Sequence, residues 1–281
     1  METKISSATK EVVIGDERPT VLIGERINPT GKKKLVEALQ AGNLEIVCRE
    51  AIAQVQAGAD ILDVNVGTTG VDEVALLPQA VQAVMGIVDV PLCLDSANPE
   101  ALEAALKVYK GKPLINSVTG EGHSLAEVLP LVKKYGAAVI GLVQDEEGVP
   151  SNSERRVDIA HKIVARAASL GIPGEDIIID CLALTVSADT TAGLVTLETV
   201  RKVKSELGVN MTLGVSNFSF GLPDRHLASN TFLAMAIASG VNCPIVDVTK
   251  ARPVVLATDL ALGRDEYAMR YIKAYRQRQT L

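Results

Sequence analysis

The chain has 281 residues, enough for one large α/β domain with a substantial core. Hydrophobic residues make up 47% and charged residues 22%, the balance of a folded globular protein, which excludes a disordered chain. The net charge is only -6 and no basic cluster is denser than Lys32-Lys33-Lys34, which argues against a nucleic-acid partner.

The opening stretch "METKISSATKEVVIGDERPT" contains no apolar segment of signal-peptide length, and no apolar run is long enough to span a membrane. Residues 1–19 therefore read as an extension ahead of a single domain covering 1–281, and the chain is expected in the cytoplasm. Cys48, Cys93, Cys181 and Cys243 are far apart with no CxxC pair, which suits small buried hydrophobes and no metal site. His123, His161 and His226 are likewise scattered.

Short runs rich in Val, Ile and Leu alternate with longer segments of helical period. In chain order the runs are Val21–Asn28, Asp60–Gly67, Pro91–Asp95, Pro113–Val118, Ala137–Asp145, Asp176–Leu184, Asn210–Asn217 and Pro244–Val248. The helices expected between and after them are Leu44–Ala57, Val74–Ile87, Pro99–Lys110, Leu125–Tyr135, Glu154–Leu170, Leu194–Leu207, His226–Ala238 and a last one from Pro253 into the charged tail. Several stop at glycine, as in "KKYGAA" and "SELGVN", where a left-handed residue closes a helix at low cost. Continuous apolar strands, each followed by a helix, predict a parallel sheet covered by helices, and eight such units predict a single (β/α)8 TIM barrel. A doubly wound sheet is disfavoured because "GERINPTG" is not the glycine-rich phosphate turn such sheets carry after their first strand.

In a barrel the site forms at the carboxyl ends of the strands. Those ends are consistently polar: Glu25, Arg26 and Asn28; Asp63 and Asn65; Asp95, Ser96 and Asn98; Asn116 and Ser117; Gln144 and Asp145; Asp180; Ser216 and Asn217; Asp247. Asn98 and Ser153 stand directly before helical segments and read as caps. Asp95, Asn116, Asp180 and Asn217 lie too far upstream of their helices to cap them. A carboxylate or bare amide inside a barrel needs a partner, and two Asp with two Asn suit a flat heterocycle with an amino group, a ring N–H and a carbonyl on one edge, as in a pterin.

"IGERINPTG" (Ile23–Gly31), "DVNVG" (Asp63–Gly67), "CLDSANPEALEAAL" (Cys93–Leu106), "INSVTGE" (Ile115–Glu121), "IIIDCLAL" (Ile177–Leu184) and "LGVSNFSFGLPDRHLASNTFLAMAIASG" (Leu213–Gly240) occur in this order along the chain. In these residues the chain resembles the pterin-binding methyltransferase barrels, which include methyltetrahydrofolate:corrinoid protein methyltransferases and the folate module of cobalamin-dependent methionine synthase. The resemblance implies that Asp95, Asn116 and Asp180 hold the pterin edge and that Asn217 reaches N5, the atom bearing the methyl group. It places Arg225 near the benzoyl-glutamate part of the folate, Glu25 and Asp63 in a supporting polar network, and Ser216 beside Asn217 at the substrate-binding end of the seventh strand. Ser216 and Ser219 are read either as orienting Asn217 or as capping. Where the corrinoid/iron–sulfur branch has a glutamine three residues after the asparagine, this chain has Phe220.

The activity so implied is methyl transfer, in one-carbon metabolism, between tetrahydrofolate and the cobalt of a separate corrinoid protein. Asp224-Arg225-His226 is a poor cobalamin-binding motif, so the corrinoid is expected on the partner. Relatives suggest a homodimer with "FLAMAIASG" as a candidate contact, although core packing accounts for that helix equally well. Three other readings stay open: a dihydropteroate synthase-like enzyme, although "NPTGKKK" lacks that family's first loop; a Schiff-base aldolase using Lys250; and a folate-binding module without catalysis.

Overall fold

The computed structural model describes residues 1–279; positions 280 and 281 of the expected domain lie outside the described residues. The N-terminal extension is a structured hairpin, with β1 (Glu2–Ser6) antiparallel to β2 (Glu11–Gly15). Eight further strands follow: β3 (Ile23–Ile27), β4 (Ile61–Val64), β5 (Leu92–Asp95), β6 (Leu114–Thr119), β7 (Ala138–Leu142), β8 (Ile177–Asp180), β9 (Asn210–Thr212) and β10 (Ile245–Val246). They pair in parallel in the order β10-β3-β4-β5-β6-β7-β8-β9. A bridge between Gly214 and Ile245, with Ile245 N–H donating to the Leu213 carbonyl at 3.0 Å, closes the ring. The fold is the TIM barrel predicted from the alternation of apolar runs and helices.

The helices are α1 (Lys33–Gln40), α2 (Glu45–Ala57), α3 (Glu73–Met85), α4 (Pro99–Val108), α5 (Gly122–Tyr135), α6 (Ser153–Ser169), α7 (Ala192–Leu207), α8 (Arg225–Ser239), α9 (Val248–Ala261) and α10 (Met269–Gln279). Gly136 and Gly208 close α5 and α7 in the left-handed conformation, as the sequence suggests. Among the described residues no helix is long and apolar enough to cross a membrane.

Strand alternation divides the core in two. Outward residues such as Leu62, Leu92, Ile115, Val139 and Ile179 pack under the helices. Inward residues Ile23, Ile61, Cys93, Leu114, Ile140 and Ile178 fill the barrel, and Ile5, Val12 and Ile14 of the hairpin join them. Each buried Val, Leu or Ile stabilises the fold by roughly 1.5–3 kcal/mol. The hairpin is also tied by polar bonds: Asn210 Nδ2 donates to Thr3 Oγ1 at 2.8 Å and to the Ile14 carbonyl at 3.2 Å. These bonds come from the amino end of β9, so the hairpin closes the end of the barrel opposite the polar strand ends.

The "FLAMAIASG" segment lies in α8, with Phe232, Leu233, Ala236 and Ile237 buried within the chain. Phe232 stacks on Phe218 with ring centroids 4.1 Å apart. Internal packing therefore accounts for most of its apolar character, while Met235 is exposed.

Candidate active site

The inward rows rise from an apolar floor to a polar rim. Ile61, Cys93, Leu114 and Ile178 belong to the barrel interior, and the two-residue period of a strand carries Asp63, Asp95, Asn116 and Asp180 to the same face directly above them. Register aligns Asp63 with Cys93 and Asp95 with Asn116. Asn116 Nδ2 donates to Asp63 Oδ1 at 3.1 Å. The Asp63 and Asp95 carboxyl groups face each other across the two strands, and Asn65 stands beside Asp95 at the end of β4. Burial, with the neighbouring Asp95 charge adding to it, pushes the Asp63 carboxyl well above the usual carboxylate range. Burial also raises Asp95, against Asn65 and Asp63, which favour its ionised form.

Asp180 sits across the same interior and is 5% exposed. Its Oδ1 accepts the Leu182 N–H at 2.7 Å, and the Gly214 N–H stands near enough to this carboxyl to favour its ionised form. Burial nonetheless pushes it up to about 6. The chain turns sharply here, with Leu182 at φ 54°. Arg156 of α6, 1% exposed, secures the turn. Its guanidinium donates to the Cys181 and Leu182 carbonyls, each at 2.9 Å, and to the Pro150 carbonyl at 2.7 Å.

The raised Asp180 value has a signed consequence for stability. The folded state holds this proton up to about pH 6, whereas an unfolded Asp releases it near 3.8. Stability therefore falls as pH rises from the lower value through the higher one, by as much as about 3 kcal/mol, and stays reduced above it. Urea unfolding of wild type and Asp180→Asn across this range should show the wild type losing that increment and the variant not. Parallel profiles for the two proteins would exclude the shift.

Glu25 projects from β3, where the ladder to β4 shifts register between Gly24 and Ile27. Gln54 of α2 reaches into this irregularity, its Oε1 accepting the Arg26 N–H at 2.9 Å, in space that a side chain at Gly24 would fill. Glu25 Oε1 accepts from Ser216 Oγ at 2.7 Å, and burial raises its carboxyl. Ser216 thus orients the loop toward β3 and is no helix cap.

Asn217 departs from the expected position. The run predicted as a strand to residue 217 ends at Thr212, and Asn217 closes a 3-10 turn, Val215–Asn217. Its side chain is exposed at the rim, and Gly214 lies beneath it: a Cβ there would come 3.3 Å from Asn217 Nδ2. Asp180 therefore lies close to Gly214, the residue on which Asn217 rests. Arg225 donates to the Ser216 carbonyl at 2.8 Å and lies over the Phe220 ring, 5.4 Å from its centroid. Thr185 and Ser187 both donate to the Phe220 carbonyl, at 2.8 and 2.9 Å, joining the loops after β8 and β9.

Two cap assignments divide. Asn98 Oδ1 accepts the Glu100 N–H at 2.9 Å, as expected. The cap of α6 is Asn152, which accepts the Arg155 N–H at 2.8 Å; Ser153 is the first helical residue and accepts from Lys202 Nζ. Asp247, a polar strand end, caps α9 through Thr249. Lys250 is exposed in the first turn of α9, outside the barrel interior. Sequence reasoning passed over Lys32, which is half-buried at the mouth with its ammonium on the Arg26 carbonyl at 2.9 Å, while Lys33 faces solvent. It passed over Arg156 as well, whose partners at Cys181 and Leu182 are distant in sequence.

The rim therefore offers acceptors from Asp95, Asn116 and Asp180 above a dry apolar floor, with the amide of Asn217 at its edge. That arrangement suits a flat ligand presenting several N–H donors. The sequence profile of the pterin binding enzymes matches residues 24–247. The chain is 32% identical over 267 residues to a methylcorrinoid:tetrahydrofolate methyltransferase of Eubacterium limosum, covering 92% of this chain and 96% of that one. It is 30% identical over 266 residues to methionine synthase of Mycobacterium leprae, covering 90% of this chain and 22% of the much longer relative. Similar solved structures are Yersinia pestis DHPS with a pterine-sulfa conjugate (TM-score 0.69, 17% identity, 92% of this chain and 98% of that one) and Xanthomonas albilineans dihydropteroate synthase (TM-score 0.70, 18% identity, 93% and 99%). At those identities the structural likeness is one of fold.

Proposed function

The chain belongs to the pterin-binding enzyme family, and from that premise we propose that it is a methyltransferase moving a methyl group between N5 of tetrahydrofolate and the cobalt of a corrinoid on a separate protein. The observation that carries this reading is the inward set Asp95, Asn116 and Asp180 above the apolar interior, with Asn217 at the rim. Asp95 accepts from the amino and ring N–H groups of the pterin, Asn116 matches its mixed donor and acceptor edge, and Asp180 closes the pocket opposite. Arg225, exposed beside Phe220, suits the anionic glutamate tail of a folate.

The corrinoid supplies a cobalt that gives up or takes the methyl group. What this chain contributes is orientation and control of the N5 proton. When N5 receives the methyl group, its lone pair forms the new N–C bond, the cobalt keeps the electron pair of the broken bond, and the N5 proton leaves to water. In the opposite sense N5 must gain a proton or a strong hydrogen bond before it can leave. Asn217 is no acid at neutral pH, yet its amide can accept from N5–H or donate to the N5 lone pair, stabilising charge as it changes. No covalent methyl-enzyme is invoked: Cys93, Cys181 and Cys243 are buried with thiols raised by desolvation, unsuited to nucleophilic attack.

Mixing the protein with tetrahydrofolate and methylcobalamin tests the reading. Conversion of the methylcobalamin spectrum to that of the reduced corrinoid, with formation of methyltetrahydrofolate, is the expected result. An unchanged cobalt spectrum, both with methylcobalamin and with methylated corrinoid proteins, would sink it.

A further inference from the structure

We propose that Asp63 acts as a neutral carboxylic acid that donates to Asp95 and accepts from Asn116, thereby fixing which atoms both residues turn toward the ligand. The inference rests on the pterin-site reading for its ligand, and on the interior of the barrel for its chemistry. Asp63 and Asp95 stand on neighbouring strands with both carboxyl groups on the inward face; two carboxylates so placed only repel, whereas one proton between them turns the contact into a hydrogen bond. Around the pair stand the Cys93 thiol of β5, the Asn116 amide of β6, the Asn65 amide beyond β4, and the Glu73 carboxylate of α3. Every charged group in that set is an acid, so nothing there compensates a second negative charge.

The proton belongs on Asp63. That residue is 2% exposed, whereas Asp95 stands one step higher, half-buried and supported by Asn65. Desolvation disfavours the ionised form most strongly at the deeper member. With Asp63 neutral, its hydroxyl donates to Asp95 and its carbonyl oxygen accepts from Asn116 Nδ2, the bond seen at 3.1 Å. The consequences reach the ligand. Asn116 is held by its nitrogen, so its Oδ1 is directed elsewhere as an acceptor, and Asp95 keeps one full negative charge for N–H donors. Asp63 is thus a positioning residue that sets the acceptor pattern of the rim without touching the ligand.

An amide copies a neutral acid here: the side chain introduced by Asp63→Asn has an N–H for Asp95 and an oxygen for Asn116. Asp63→Asn should therefore bind tetrahydrofolate within about threefold of wild type, whereas Asp63→Ala, which strands both neighbours, should bind roughly ten- to a hundredfold more weakly by calorimetry. Infrared spectra of the ligand-free proteins at neutral pH supply a readout that needs no folate. The wild type should carry a protonated-carboxyl C=O band that Asp63→Asn lacks. Absence of that band difference overturns the proposal, as does an affinity loss in Asp63→Asn equal to that in Asp63→Ala. Should wild type fail to bind tetrahydrofolate, the functional reading falls, while the infrared comparison still decides the state of Asp63.

Discussion

Asn217→Ala should lower the rate of methyl transfer about a hundred- to a thousandfold, the usual loss when one placed hydrogen-bond donor to a reacting centre is removed. Tetrahydrofolate affinity should change little. Asn217 is exposed on the 3-10 turn after β9 and takes no part in the buried Asp63–Asp95–Asn116 network, so the pterin edge keeps its partners. Packing is spared too: the residue lies over Gly214, and among the described residues its hydrogen bonds are backbone ones, including the Phe220 N–H to its carbonyl at 3.2 Å. A fall in the single-turnover rate with unchanged folate binding assigns Asn217 to the transition state, because only an interaction stronger there than in the ground state alters the chemical step alone. Full-rate transfer in the variant removes Asn217 from the chemistry. A parallel loss of rate and affinity reduces it to a binding contact.

How much of this could be read beforehand depended on whether a residue's role is local. The barrel strands were legible because a strand covered on both faces must be apolar throughout, as "IIID" is up to its last residue. The same rule made Asp95, Asn116 and Asp180 stand out, since a polar side chain two positions after an inward apolar one has to face the barrel interior. Asn217 misled in its geometry: "LGV" continues the apolar run of β9, yet pairing with β8 ends at Thr212, and after a single bridge from Gly214 to Ile245 the backbone winds into the 3-10 turn at Val215. The hairpin was missed although "ETKIS" and "EVVIG" bury alternate residues, a period-two signal in a short segment that propensity ranks low. Helix α1 was missed for its length, its buried Leu35 and Leu39 four residues apart being the only pattern. Arg156 had no local signal, because the carbonyls it holds at Cys181 and Leu182 come near only once β8 stands beside α6.

Asp95→Asn is the counterpart to the inference about Asp63, and the larger effect on binding is expected from it. The carboxylate at this position offers acceptors on both oxygens, while asparagine retains one and replaces the other with a donor that confronts the N–H groups of the ligand. The loss of a charge-assisted bond of about 3 kcal/mol should weaken tetrahydrofolate binding about a hundredfold. The inner partner responds as well. Once a neutral amide replaces the Asp95 carboxylate, the repulsion that helped hold the proton on Asp63 is gone, and Asp63 is free to ionise against the new amide. The negative charge then lies one step deeper, out of reach of the ligand, so the variant cannot recover affinity by borrowing it. Combining Asp95→Asn with Asp63→Asn distinguishes this from simple loss of contact: because the deeper charge contributes nothing to the ligand, the double variant should bind no more weakly than Asp95→Asn alone. Calorimetry showing wild-type affinity in Asp95→Asn would remove Asp95 from the ligand edge, and a further large loss in the double variant would show that the displaced charge still reaches the folate.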